Sequence, residues 1–244
     1  MIDGVAREYN LSVPSGYSKS KQYNLVVALH GRTNSNDMVQ SYMGLQSKAG
    51  WGRNNNGGSS QTDSIIAYPA GDKVSGGYSW SDPSNVVFFD AILQQVSDSY
   101  CINRDRVFVV GHSLGGWFAN KLACVRGEVI HAMTSVGGPG YGGNCTGPVA
   151  SLLFQNVNDP LVSLSSGKYA EATRKAINQC DNVSTPITIG SFQCKQWNDC
   201  YTGNPVTWCE GYGTLQNDPH GWPTSGGTSI LNFFRGLGET KLAF

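Results

Sequence analysis

The chain is poor in charge. Its 244 residues carry 17 Lys plus Arg against 17 Asp plus Glu, or 14% charged, well below the roughly 25% usual for soluble domains. A net charge of zero provides no basic face, which argues against nucleic acid and anionic membrane partners and suits a neutral substrate. No run of about 18 apolar residues occurs, so no segment reads as membrane-spanning. Internal repeats and linkers are missing, and the polar stretch Arg53 to Thr62 is only loop length. One domain spanning 1–244 is expected, as a monomer. A chain this long buries well over half of its unfolded surface without a metal to hold it.

Zinc-type spacing is also missing. The seven cysteines are Cys101, Cys124, Cys145, Cys180, Cys194, Cys200 and Cys209, with no C-x-x-C pair among them, so neither metal nor cofactor is expected. That number points to disulfides formed in an oxidising compartment. Met1-Ile2-Asp3-Gly4 has no basic start and no apolar run, so no leader is read and the chain is taken as the mature form of a secreted, extracellular protein.

What is present is a succession of short apolar runs: Ala6 to Val13, Tyr23 to Leu29, Ser64 to Tyr68, Arg106 to Val110, Ala132 to Val136 and Ser151 to Val157. Leu25 to Leu29 and Val107 to Val110 are continuously apolar, as expected of strands covered on both faces. Helical spacing marks Val86 to Tyr100, Leu114 to Cys124 and Ser165 to Ile177. Strands alternating with helices predict an α/β fold, a mostly parallel central sheet with helices on both faces. Ligands bind such sheets at the carboxyl ends of the strands.

Gly111-His112-Ser113-Leu114-Gly115-Gly116 follows the strand Arg106 to Val110 at once and precedes a helix. Strand, sharp turn and helix are the setting of a nucleophile elbow, which lifts the serine oxygen over the sheet edge. Ser113 is the expected nucleophile; the competing reading is a simple helix cap. The backbone N–H of Leu114, at the helix start, and that of Arg32, in the loop Leu29-His30-Gly31-Arg32, are the expected oxyanion donors. His30 is read as a residue that fixes this loop.

Four histidines are available: His30, His112, His131 and His220. Only His220 follows the serine in a Pro/Gly-bounded loop, Asn217 to Pro223, and it is the expected base. His112 is expected to point to the other side of the turn, and His131 to be a satisfied core or edge residue. The acid belongs just past a strand between serine and base, which places it at Asp159 in Asn158-Asp159-Pro160. Asp218 is the rival, two residues from His220, and is expected to make a local backbone bond instead.

At these residues the chain resembles the carbohydrate esterases that include feruloyl esterases and poly(3-hydroxybutyrate) depolymerases. The matching pieces are Leu29-His30-Gly31-Arg32, Tyr68-Pro69, Trp80, Tyr100 to Asn103 before Arg106-Val107-Phe108, Gly111 to Gly116, Leu122-Ala123-Cys124, Asn158 to Val162, Pro205 to Trp208 and His220 to Pro223. The resemblance implies an α/β-hydrolase fold and an extracellular carboxylic ester hydrolase with Ser113, Asp159 and His220 as its triad. A feruloyl esterase acting on plant cell-wall polysaccharide is the first reading. A polyester depolymerase, an acetylxylan esterase and an inactive polysaccharide-binding module are the alternatives.

Trp51, Tyr78, Trp80 and Trp222 fall in predicted loops near the active edge, where aromatic rings stack on a feruloyl ring, a sugar or a polyester. Trp80 and Trp222 are the expected substrate walls. Cys101 and Cys124 both reach the sheet's far end, so a bond between them is feasible, with Cys145 competing. Cys180, Cys194, Cys200 and Cys209 are expected to staple the late excursion carrying His220. Odd parity leaves one cysteine over.

Overall fold

Residues 1–48, 63–201 and 203–238 are described by a computed structural model. Trp51 and the polar stretch 53–62 lie outside the described residues. The strands are β1 (Tyr9–Ser12), β2 (Tyr23–Leu29), β3 (Ser64–Pro69), β4 (Asp72–Val74), β5 (Gly77–Ser79), β6 (Ile102–His112), β7 (Ile130–Val136), β8 (Ala150–Asn156), β9 (Thr185–Ile189), β10 (Phe192–Trp197) and β11 (Val206–Gly211). The helices are α1 (Asn36–Met43), α2 (Ser84–Ser99), α3 (Leu114–Val125), α4 (Leu164–Asn178) and α5 (Gly226–Gly236).

Nine strands form one sheet in the order β1-β3-β2-β6-β7-β8-β11-β10-β9. Neighbours from β3 through β11 run parallel. β1 on one edge and the β10–β9 pair on the other are antiparallel additions. The continuous apolar runs have the cause expected of them: all seven residues of β2, β7 and β8 are buried. Alternate side chains feed two separate cores. Leu25, Val27 and Leu29 join Phe89, Ile92, Phe118 and Leu122 from α2 and α3. Val26 and Ala28 join Val39, Met43, Ile230 and Phe234 from α1 and α5. Among the described residues, no helix is long and apolar enough to cross a membrane.

The disulfides decide between the two partners left open for Cys124. Cys124 bonds Cys145 and not Cys101, which carries a free thiol. Cys101 immediately precedes β6 and contacts the Lys19 carbonyl, whereas Cys145 lies in the loop after β7, whose Thr146 N–H donates to the Cys124 carbonyl at 2.8 Å. Cys180 bonds Cys200, and Cys194 bonds Cys209. The last pair sits directly opposite across β10 and β11, so it fixes the strand from which the His220 loop departs.

Candidate active site

Five strand ends deliver the site: β2, β6, β7, β8 and β11, neighbours in the parallel part of the sheet. β6 ends at His112, and α3 starts at Leu114, which leaves Ser113 alone at the turn. Its N–H donates to the Val136 carbonyl of β7 at 2.8 Å, while its backbone takes φ 57° and ψ −121°, a region that non-glycine residues rarely occupy. The turn is possible because the chain crowds itself there. A Cβ on Gly111 would overlap the Gly115 carbonyl, and one on Gly115 would overlap the end of β2 at Leu29 and His30. The α3 start is thus pressed against the loop after β2, and its first N–H groups have no partner within the helix.

That loop is fixed by His30. Its buried ring donates from Nδ1 to the Gly31 carbonyl at 2.8 Å and accepts at Nε2 from the Gly71 N–H at 3.0 Å. Burial lowers its pKa, as this neutral tautomer requires. The Arg32 carbonyl accepts from the Tyr78 N–H of β5 at 2.7 Å. A Cβ on Gly31 would lie 3.2 Å from that of Ser113, so Arg32, next to Gly31, and Leu114, next to Ser113, share one corner.

Trp80 requires a correction. It is 1% exposed, stacks on Phe118 with centroids 5.2 Å apart, and donates from Nε1 to the His30 carbonyl at 2.9 Å. It is a core plug beneath the β2 loop, not a substrate wall, because the β4–β5 hairpin folds the chain back before Trp80 and turns the ring inward.

Asp159 lies three residues past β8, with its side chain 1% exposed. Oδ1 accepts from the N–H groups of Leu161 and Val162, both at 2.9 Å. Oδ2 accepts from His220 Nδ1 at 2.7 Å, and His220 Nε2 stands 2.7 Å from Ser113 Oγ. Burial works to raise the Asp159 pKa, but the bonds from His220, Val162 and Leu161 outweigh it, and the net direction is down. An ionised Asp159 fixes the proton on His220 Nδ1 and leaves Nε2 free to take one from Ser113. Asp218 makes the local bond expected of it, accepting from the His220 N–H at 2.9 Å.

Tyr42 escapes the sequence reading, and His112 has partners that reading did not give it. His112 does not point away: its Nε2 lies 2.7 Å from the His220 carbonyl oxygen, and its Nδ1 3.1 Å from the Tyr42 hydroxyl of α1. Burial pushes the His112 pKa down to about 4. His131, by contrast, is a satisfied core-edge residue, bonded at Nδ1 to the Asp105 carbonyl at 2.7 Å. Beside the row opens a cleft of about 420 Å³, lined by Tyr42, Leu161, Leu215, Gln216, His220 and Trp222. Trp222 lines this cleft but is only 3% exposed, so it offers little surface for a ligand to stack on.

A parallel sheet of this order, with a serine on a sharp strand–helix turn and a histidine and carboxylate on neighbouring strand ends, is the α/β-hydrolase fold. Acetyl xylan esterase from Aspergillus awamori superposes over 93% of both chains with a TM-score of 0.71 at 13% identity. No protein-family model matches the chain. By sequence it is a homologue of fungal feruloyl esterases. It is 31% identical to feruloyl esterase C of Emericella nidulans over 193 residues, which are 75% of this chain and 65% of that protein. Identity is also 31% to the probable feruloyl esterase C of Aspergillus niger, over 66% of this chain and 58% of that one. The chain therefore spans less than two thirds of the length of these curated relatives.

Proposed function

We propose that this chain is a secreted serine esterase that releases hydroxycinnamic acids from plant cell-wall polysaccharide. The observation that carries the reading is the unbroken row Asp159–His220–Ser113, with both links at 2.7 Å. His220 removes the Ser113 proton as Oγ attacks the ester carbonyl. The tetrahedral oxyanion rests on the N–H groups of Leu114 and Arg32. The protonated His220 then gives its proton to the departing alcohol; neutral again, it takes a proton from water as that oxygen attacks the acyl-serine, and returns it to Ser113 Oγ as the acid leaves. No cofactor takes part in any step. The name shared by the curated relatives supports the feruloyl group, as does the cleft, which an acetyl group would leave largely unfilled. The three disulfides among the described residues support secretion.

Ser113→Ala is expected to abolish turnover of methyl ferulate and labelling by an organophosphonate while keeping the fold. Wild-type-like turnover in that variant would overturn the reading. A panel of methyl ferulate, acetylated xylan and polyhydroxybutyrate separates the substrate classes: preference for acetylated xylan, as the likeness to the Aspergillus awamori enzyme would have it, rejects the feruloyl assignment.

A further inference from the structure

The base of the proposed reaction sits on irregular chain between Thr214 and Pro223, apart from the short turn Leu215–Asn217. No strand or helix holds it, yet its two ring nitrogens meet their partners at 2.7 Å. Most bonds in this loop are internal: Leu215 N–H to the Trp222 carbonyl, Gly221 N–H to the Asp218 carbonyl, His220 N–H to Asp218 Oδ1. These shape the loop without placing it. The bond that ties the His220 backbone to the sheet comes from His112, the residue immediately before the nucleophile.

We propose that His112, oriented by Tyr42, is a positioning residue that sets the distance between His220 and Ser113. This rests on the esterase reading above. The protons follow from the partners. A backbone carbonyl only accepts, so His112 Nε2 carries the hydrogen given to the His220 oxygen. Nδ1 of the neutral ring is then an acceptor, and the Tyr42 hydroxyl must donate to it. Either bond fixes the ring's rotation for the other. Trp222 closes the arrangement, with its ring centroid 6.1 Å from that of His112 and 6.0 Å from that of Tyr42. One rigid turn thereby holds both reacting groups, Ser113 through the main chain and the His220 backbone through the neighbouring side chain. Neutrality is part of the device. The two histidine rings are 5.3 Å apart, so a charged His112 would oppose the imidazolium that His220 becomes, and its Nδ1–H would meet the Tyr42 oxygen as a second donor.

The test compares His112→Ala, His112→Gln and Tyr42→Phe. Glutamine carries an amide N–H near the place of Nε2 and keeps the bond to the His220 carbonyl. His112→Ala is expected to lower kcat by roughly a hundredfold, the effect of about 1 Å of misplacement, with KM within threefold of wild type. His112→Gln is expected to recover at least tenfold of that loss, and Tyr42→Phe to lose three- to tenfold in kcat. A readout without substrate keeps this separate from the esterase reading: the downfield proton resonance of His220 Nδ1 should persist in His112→Gln and broaden in His112→Ala. The proposal is overturned by a kcat within threefold of wild type in His112→Ala. It is equally overturned by a Gln variant no better than Ala, or by an unchanged resonance in His112→Ala. Should His112→Ala not fold, Tyr42→Phe decides, and unchanged kcat there also rejects the idea. A wild-type protein that cleaves no ester, yet shows the resonance responding as described, would end the esterase reading alone.

Discussion

His112 meets its environment with a conflict that pH can expose. Free in solution, its ring takes up a proton near pH 6.5; buried beneath Trp222 and Tyr42, it does so only near 4. Between those values the unfolded chain binds more protons than the folded one, so stability declines as pH drops through that window and is fully present above it. For this residue the expected loss from pH 7 to pH 4 is about 3 kcal/mol. Asp159 adds to the same trend lower down, since its folded pKa is held below the ordinary carboxylate range and its contribution disappears as the pH falls through that folded value. Urea unfolding at pH 7 and pH 4 spans the His112 window and lies above most of the Asp159 loss, and His112→Gln should flatten the difference. An equally steep decline in that variant would assign the loss elsewhere. The meeting of Ser113, Asp159 and His220 was legible in advance because chain order and strand ends constrain it. The inward turn of His112 was not, since it depends on the backbone angles of the very next residue. Trp80 misled for a related reason: its loop position was right, but the hairpin that buries it has no strong pattern.

Legibility among the elements follows burial. β2 and β8 were read to within a residue because every position is covered and each carries a continuous apolar stretch, Leu25 to Leu29 and Leu152 to Phe154. β9 and β10, half exposed with polar alternation, left little signal. α5 begins Gly-Gly-Thr-Ser, which reads as loop, and α1 is too polar to stand out. The antiparallel end of the sheet compensates for its weaker burial with covalent bonds. Cys194 and Cys209 close a 15-residue separation, for which the loss of chain freedom in the unfolded state corresponds to about 3 kcal/mol. The Cys194→Ala/Cys209→Ala double variant is expected to lose about that much in urea. It should also raise the mobility of the His220 loop, which leaves β11 two residues after Cys209. Loss of stability with an unchanged kcat would limit the bond to a structural part.

For the whole molecule, alternating strands and helices were enough to predict the layered parallel architecture. They were not enough to order the strands, since β11 inserts beside β8 ahead of β10 and β9. That insertion places the last histidine's loop beside the strand end carrying Asp159. The sheet also forces the proposed nucleophile into an uncomfortable pose, with Ser113 at φ 57°. Glycine accepts such angles readily, whereas any side chain there costs of the order of 1 kcal/mol or more. Ser113→Gly should thus be about 1 kcal/mol more resistant to urea than Ser113→Ala, and both are expected to be inert under the proposed mechanism. Thermal endurance and reactivity therefore pull this one position in opposite directions. A library screened for heat tolerance alone would drift towards inactive proteins, starting at the serine.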